Sequence, residues 1–407
     1  MYRNFNALLV VSIATSILGS CNKERTQNSG AAPMEAWNAP NAPERLQWDL
    51  VTDIHALPLQ AKLEKVPWTD SYWPSMRGGI AARWNGGGSG FGYRPPSPTA
   101  LKRMTLEQLK RLSPAEKYDV YVGRYDYPTV KSERSRTSPA DFSWEGLCAG
   151  WAPASLHFDE PEPVVLEGAN GVKVPFGSSD IKALLMYYQD KVALSTDRML
   201  GLRCGTGPAS SGACRDVNAG SFHILLSNYL GLRKQGFVVD ITRGNEVWNH
   251  PVYGFTSRIL EERTPSRNAA PGAIKELRVE TTINYIVEID QSWSSHRGRT
   301  RIPGDATKRY SYLLELNVND EIIGGEWLTA DRPDFAWIAA RPEFVGYFSQ
   351  LGAVYNAALA GVQSGPTSTP TPNSTPGATP IPLPTSTVFP EPNPTPQSDF
   401  TPTPSNG

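Results

Sequence analysis

Ser143-Trp144-Glu145-Gly146-Leu147-Cys148-Ala149-Gly150-Trp151-Ala152-Pro153-Ala154 sets one cysteine between two tryptophans, with glycines on either side. Proline is tolerated in the first turn of a helix and costs ~3 kcal/mol deeper inside. Pro153 therefore places the start of a helix close to Cys148, with the thiol at its N-terminus. Unsatisfied N–H groups and about half a positive charge collect at that end. Both are expected to favour the thiolate and to lower the pKa of Cys148, and the same N–H groups suit an oxyanion. A free cysteine is more commonly a buried, inert core residue. The dense glycine and tryptophan around this one argue for chemistry, with Trp144 and Trp151 as walls of a site or supports for its oxyanion.

The chain has four cysteines, and the other three have separate uses. Arg3 followed by the apolar run Ala7 to Leu18 has the form of a secretory leader. Leu18-Gly19-Ser20-Cys21 resembles the bacterial lipobox, in which the cysteine is lipidated and becomes the mature N-terminus; the alternative is an ordinary signal peptide cleaved at small residues. By resemblance to Gram-negative lipoproteins, Asn22 in place of Asp implies the outer membrane. Residues 1–20 are expected as the signal peptide and 21–45 as a flexible, lipid-anchored tether. Cys204 and Cys214 flank a loop of Gly, Ser and Ala. In an oxidising compartment they can pair, closing a short loop worth about 2–3 kcal/mol. Cys148 is then left alone, and an odd cysteine in an exported protein marks a reactive thiol.

With 407 residues and a net charge of -1, the chain carries no electrostatic footprint for nucleic acid. Gly86-Gly87-Gly88-Ser89-Gly90 lacks a phosphate-binding pattern. Helical patterns dominate the first half of residues 46–363. Leu106, Leu109 and Leu112 share a face, Ser113 caps a helix starting at Pro114, and Ser178 or Ser179 caps one through Tyr188. The second half is richer in strands, over Gly236–Thr242, Thr282–Ile289 and Tyr310–Val318, with Asn319-Asp320 as a turn. Residues 364–407 are Pro, Thr and Ser-rich, a composition that cannot bury a core and stays disordered.

Gly220 to Gly231 reads as a helix, although a strand fits so short a run. It carries His223, and the strand after it ends near Asp240. A thiol nucleophile needs a base within hydrogen-bond reach, and that base needs an orienting acid. Cys148, His223 and Asp240 form such a set in chain order. Taken singly, His223 suits a hydrogen-bonded structural histidine and Asp240 a strand-end cap.

This histidine-to-aspartate spacing resembles the papain and transglutaminase-like superfamily. Glu246-Val247-Trp248-Asn249-His250-Pro251-Val252-Tyr253-Gly254-Phe255 closely resembles the recognition peptide of the oomycete elicitor transglutaminases. Its Val247, Trp248, Asn249, Pro251, Val252, Gly254 and Phe255 are the matching positions. Ser113 to Asp119, Trp144 to Ala154, Asp180 to Leu184, Pro67 to Pro74, Ile323-Gly324-Gly325-Glu326-Trp327 and Pro333-Asp334-Phe335 resemble the same family. His250 replaces that peptide's Gln, which argues against His250 as base, and Ala149 replaces a His of the relatives. The resemblance implies an α+β fold: a papain/transglutaminase-like cysteine-enzyme core with an N-terminal helical half and a β-rich C-terminal half. It implies protein-glutamine γ-glutamyl transfer through a Cys148 thioester, with protein glutamines and lysines or small amines as substrates.

Two alternatives stay open: a cysteine peptidase or amidase on the same triad, and a non-catalytic surface protein on the same scaffold. No cofactor is evident, and no acidic cluster has EF-hand spacing. Calcium enters by superfamily analogy alone, and the histidines lack zinc spacing.

Overall fold

The computed structural model describes residues 35–46, 49–193, 198–203, 216–244 and 246–363. Cys21, Cys204, Cys214 and the expected tail lie outside the described residues. The strands are β1 (Gln60–Lys62), β2 (Val164–Glu167), β3 (Lys173–Phe176), β4 (Arg198–Gly201), β5 (Phe237–Asp240), β6 (Asn249–Arg263), β7 (Lys275–Ile286), β8 (Asp305–Leu316), β9 (Ile322–Trp327) and β10 (Phe335–Ile338). Eight of them form one sheet in the order β4-β10-β5-β6-β7-β8-β9, with β1 added to β6. Every pairing in it is antiparallel. β2 and β3 make a separate hairpin.

The helices are α1 (Pro98–Leu101), α2 (Leu106–Lys110), α3 (Pro114–Tyr121), α4 (Pro128–Arg136), α5 (Cys148–His157), α6 (Ser178–Tyr187), α7 (Ala219–Leu225) and α8 (Leu351–Gln363). The mixed architecture, helical first and β-rich later, is the one expected. Ser113 caps α3 in a reciprocal box with Glu116: each side chain accepts from the other's amide, at 3.1 and 2.9 Å. α6 is capped one residue earlier than expected, at Gly177, whose amide donates to Asp180 Oδ2 at 2.7 Å. Both α6 and α7 run on into a π-helical turn, so the helix begun at Ala219 reaches Leu232.

Alternation along the central strands divides the core in two. Val238, Tyr253, Phe335 and Trp337 face α5 and α6, packing with Trp151, Ile181 and Leu184. Their neighbours Phe237, Val239, Val252 and Ala336 face the other way, onto Phe222, Leu225 and Leu226 of α7 and its extension. The sheet thus stands between α5 and α7. Gly150 lets α5 lie directly against α6, since a Cβ there would meet Met186 O at 2.1 Å. The helical half also buries the ion pair Lys117–Asp180, at 2.5 Å and fully enclosed. Asp180 is completed by Trp84 Nε1 at 2.8 Å, the added hydrogen bonding that a buried pair requires to offset desolvation.

One boundary moves. Residues 35–45, expected as tether, belong to the fold. Ala36 bridges to Gly324, and the buried Asn41 donates to Asp216 O at 2.9 Å and accepts from Asn218 N at 2.8 Å. Paired backbone and buried amides of this kind are incompatible with a solvated linker.

Candidate active site

Cys148 opens α5, at the N-terminus where it was expected. The entry is fixed from outside the helix: Leu147 donates its amide to Tyr72 O at 2.6 Å, and Leu147 is the N-cap. Gly146 permits this approach, because a Cβ there would lie 2.3 Å from Tyr72 O. Pro153 sits inside the helix, beyond its first turn.

Across from the thiol lies the start of β6 and the loop before it. Cys148 Sγ donates to Val247 O at 3.5 Å, and Asn249 Nδ2 donates to Sγ at 3.7 Å. Trp337 Nε1 donates to Asn249 Oδ1 at 2.8 Å. That indole bond occupies the carbonyl end of the amide, so the NH₂ end faces sulfur. Trp248 covers this corner with its ring edge-on to Tyr72, centroids 5.3 Å apart. The recognition-like segment is therefore mostly buried: Asn249, His250, Val252 and Phe255 are all enclosed. Two surface clefts, one around Lys65 and Trp68, the other around Arg94 and Met104, lie away from Cys148.

Burial reverses the expected pKa. Desolvation pushes the Cys148 thiol up to about 11, against the backbone and side-chain N–H groups of Asn249, which pull it down. Two carboxylates raise it further, Glu288 and then Asp190. Glu288 is only partly exposed, and burial lifts it to about 7; its Oε1 has no hydrogen-bond partner. Its other oxygen lies 3.8 Å from His250 Nδ1.

The expected triad is not assembled. His223 is on α7, across the sheet from Cys148. Its Nδ1 meets Tyr312 OH at 2.7 Å, and its buried Nε2 has no partner. Burial alone lowers its pKa to about 4, with no charged group acting on it. Asp240 points to the Cys148 face. It stands directly opposite Asn249 in the β5–β6 register, with its carboxylate fully buried and neither oxygen hydrogen-bonded to a side chain. Burial and the neighbouring Asp334 raise its pKa to about 8, while the amides of Trp248 and Thr242 pull the other way. His223 and Asp240 thus share no hydrogen bond.

His250 is neutral as well, lowered to about 4 by burial. Its Nδ1–H donates to Ile286 O at 3.0 Å, and its ring meets the edge of Trp151, centroids 6.1 Å apart. Trp151 is a fully buried floor under this region. Trp144 is half-buried and stacks on Phe142 with Arg203 above it. Asn249 was legible as part of a peptide-like segment, but nothing in its spacing tied it to sulfur. Glu288 and Trp337 carry no local signal at all, since only the sheet brings them here.

A family model described as transglutaminase elicitor matches residues 140–360. Among solved structures, the crystal structure of the GP42 transglutaminase from Phytophthora sojae matches with a TM-score of 0.59 and 21% sequence identity, covering 80% of this chain and 99% of that one. At that identity the likeness is one of fold. No curated protein matches.

Proposed function

The chain belongs to the transglutaminase elicitor family, and from that premise we propose that Cys148 transfers acyl groups from protein glutamine side chains to amines. The thiolate attacks the glutamine carboxamide carbon, ammonia leaves, and a thioester forms on Sγ. A lysine or small amine attacks the thioester, forms the new amide and returns the thiol. The observation that carries this reading is the Asn249 amide aimed at a free thiol on a helix N-terminus.

The proton acceptor in this reading is Glu288, replacing His223. Its charge is the first among those acting on Cys148, and an acid held near 7 is matched to proton transfer at neutral pH. Trp248 and Tyr72 limit water at the thiol, which favours an amine as the second nucleophile. Substrate binding displaces part of this cover and brings the thiol pKa down.

The chain in this reading is exported and lipid-anchored through Cys21 at the outer membrane, with Cys204 and Cys214 bridged. Among the described residues, no helix is long and apolar enough to cross a membrane.

Biotin-amine incorporation into casein tests the chemistry. Wild type incorporates the label and Cys148→Ala does not. Casein cleavage without incorporation would favour the peptidase alternative, and inactivity of both proteins would favour a binding scaffold.

A further inference from the structure

The helical half carries a cleft of its own, away from Cys148, whose polar lining holds three arginines and no acid. Arg83, Arg94, Arg111 and Gln108 stand around an apolar floor of Pro96, Met104 and Leu112, and the space between them is about 280 Å³. We propose that this cleft binds a phosphate monoester, with the guanidiniums on the phosphoryl oxygens and the carbon body on the floor.

Charge is the first argument. Residues 83–111 hold six lysines or arginines and one acid, Glu107, in a chain whose net charge is -1. Glu107 is already paired with Lys110 at 2.7 Å. Among the described residues, the exposed Arg94 and Arg111 make neither an ion pair nor a side-chain hydrogen bond. Unpaired cations lining one concavity repel each other, and an anion that touches several at once relieves them.

The donors are held in place before any ligand arrives. Glu116 accepts from Arg83 Nε at 2.8 Å and from Nη2 at 2.5 Å, which leaves Nη1 for a ligand. Glu116 is fully buried and committed to this pair and to the Ser113 amide. Arg83 Cζ also lies 3.8 Å from the Tyr93 ring centroid, and Arg134 stacks on the same ring at 4.3 Å. Arg111 ends α2 as its C-cap residue, and its stem runs beside Gly86, where a Cβ would lie 3.5 Å from Arg111 Cβ and 3.8 Å from its Cγ. Gln108 Oε1 accepts from Thr105 N at 2.8 Å, so the NH₂ is the free end of that side chain.

The donor set selects the anion. Guanidinium forks match phosphate oxygens two at a time, and three positive charges suit a dianion better than a single carboxylate. A bare phosphate fills neither the volume nor the floor of Met104 and Leu112, so the phosphate carries carbon. Such an ester is either the headgroup of an anionic lipid or a soluble phosphorylated metabolite.

Titration calorimetry of the full, unacylated chain against glycerol 3-phosphate and sodium phosphate is the test, with sedimentation on phosphatidylcholine vesicles with and without phosphatidic acid. Glycerol 3-phosphate binds at a single site, and inorganic phosphate binds more weakly. Affinity rises from pH 5 to pH 7.5, because the second phosphate ionisation falls at about 6 and arginine does not titrate there. Arg94→Ala and Arg111→Ala each lose at least about tenfold, and Arg111→Lys, which keeps the charge without the fork, loses part of that. Their melting temperatures match the parent's, since both side chains are exposed and unpaired, so misfolding does not explain the loss. Vesicle binding that requires phosphatidic acid and disappears in the same variants assigns the headgroup as the source; binding of the soluble ester without vesicle binding assigns the metabolite. No binding of either, or an Arg111→Ala affinity equal to the parent's, overturns the proposal. So does tighter, pH-independent binding of hexaglutamate, which gives the cleft to an acidic peptide.

Discussion

Asn249 holds its side-chain amide 3.7 Å from Cys148 Sγ, with Trp337 fixing which end the sulfur meets. The backbone amide of Asn249 also favours the thiolate. This one residue therefore supplies the two hydrogen-bond influences that oppose burial at the nucleophile.

Removing that influence exposes its size. Asn249→Ala leaves burial unopposed and raises the thiol pKa further. Iodoacetamide labelling at pH 8 slows, and amine incorporation falls by about 10²-fold, the usual cost of losing one aimed donor. Trp337→Phe frees the amide to turn and gives a smaller loss. Labelling of Asn249→Ala at the wild-type rate would show that the contact is incidental.

Glu288 acts on the same thiol with opposite consequences for two measurements. Its charge raises the Cys148 pKa, so Glu288→Gln lowers that pKa and speeds alkylation at pH 8. Loss of a general base slows turnover by ~10²–10⁴-fold. Faster labelling with slower amine incorporation is the expected split. If both rates rise together, Glu288 is no base and only burdens the thiol.

His223 provides the control. With the sheet between it and Cys148, His223→Gln keeps amine incorporation within about threefold, far from the loss a base would show. The substitution disturbs the bond to Tyr312 OH and lowers stability by about 1–3 kcal/mol. Urea unfolding reads the second effect. A loss of activity with unchanged stability would return His223 to the mechanism.

The reasons for that reassignment are physical. Cys148 stands at the N-terminus of α5 as expected, but Pro153 lies beyond the first turn, so proline does not set the helix start. The Ser113 cap was readable because it is local, and the structure adds the reciprocal bond from Glu116, three residues on. His223 and Asp240 have the spacing of a pair, but spacing along a chain does not say which face of a sheet a side chain takes. The α7 helix packs on Val239 and Val252, while Asp240, one residue on, turns to the other side. The thiol pKa was misjudged because a helix terminus is visible in sequence and the desolvation imposed by β6 and Trp248 is not. Glu35, Glu276 and Glu315 lie far apart in the chain, and they meet through the β7–β8 register, which sets Glu276 opposite Glu315, and through the Ala36–Gly324 bridge.

Asp240 gives a dependence of stability on pH whose sign is fixed. Its pKa rises from an ordinary carboxyl value near 4 to about 8 on folding. The folded protein therefore holds a proton that the unfolded chain releases. Its contribution is fully present below about pH 4, declines as pH rises, and is lost as pH passes through about 8. Glu288 and Glu315 are raised too, so the wild-type profile alone mixes several groups. Asp240→Asn isolates one. Asparagine cannot ionise, and it keeps the size of the protonated acid beside Asn249. Wild type and variant should unfold at similar urea concentrations at pH 4.5, and the variant should be clearly the more stable at pH 8.5. A difference that stays constant between those values would mean that Asp240 is charged throughout, with Arg203, which already pulls its pKa down, as the cation that holds it.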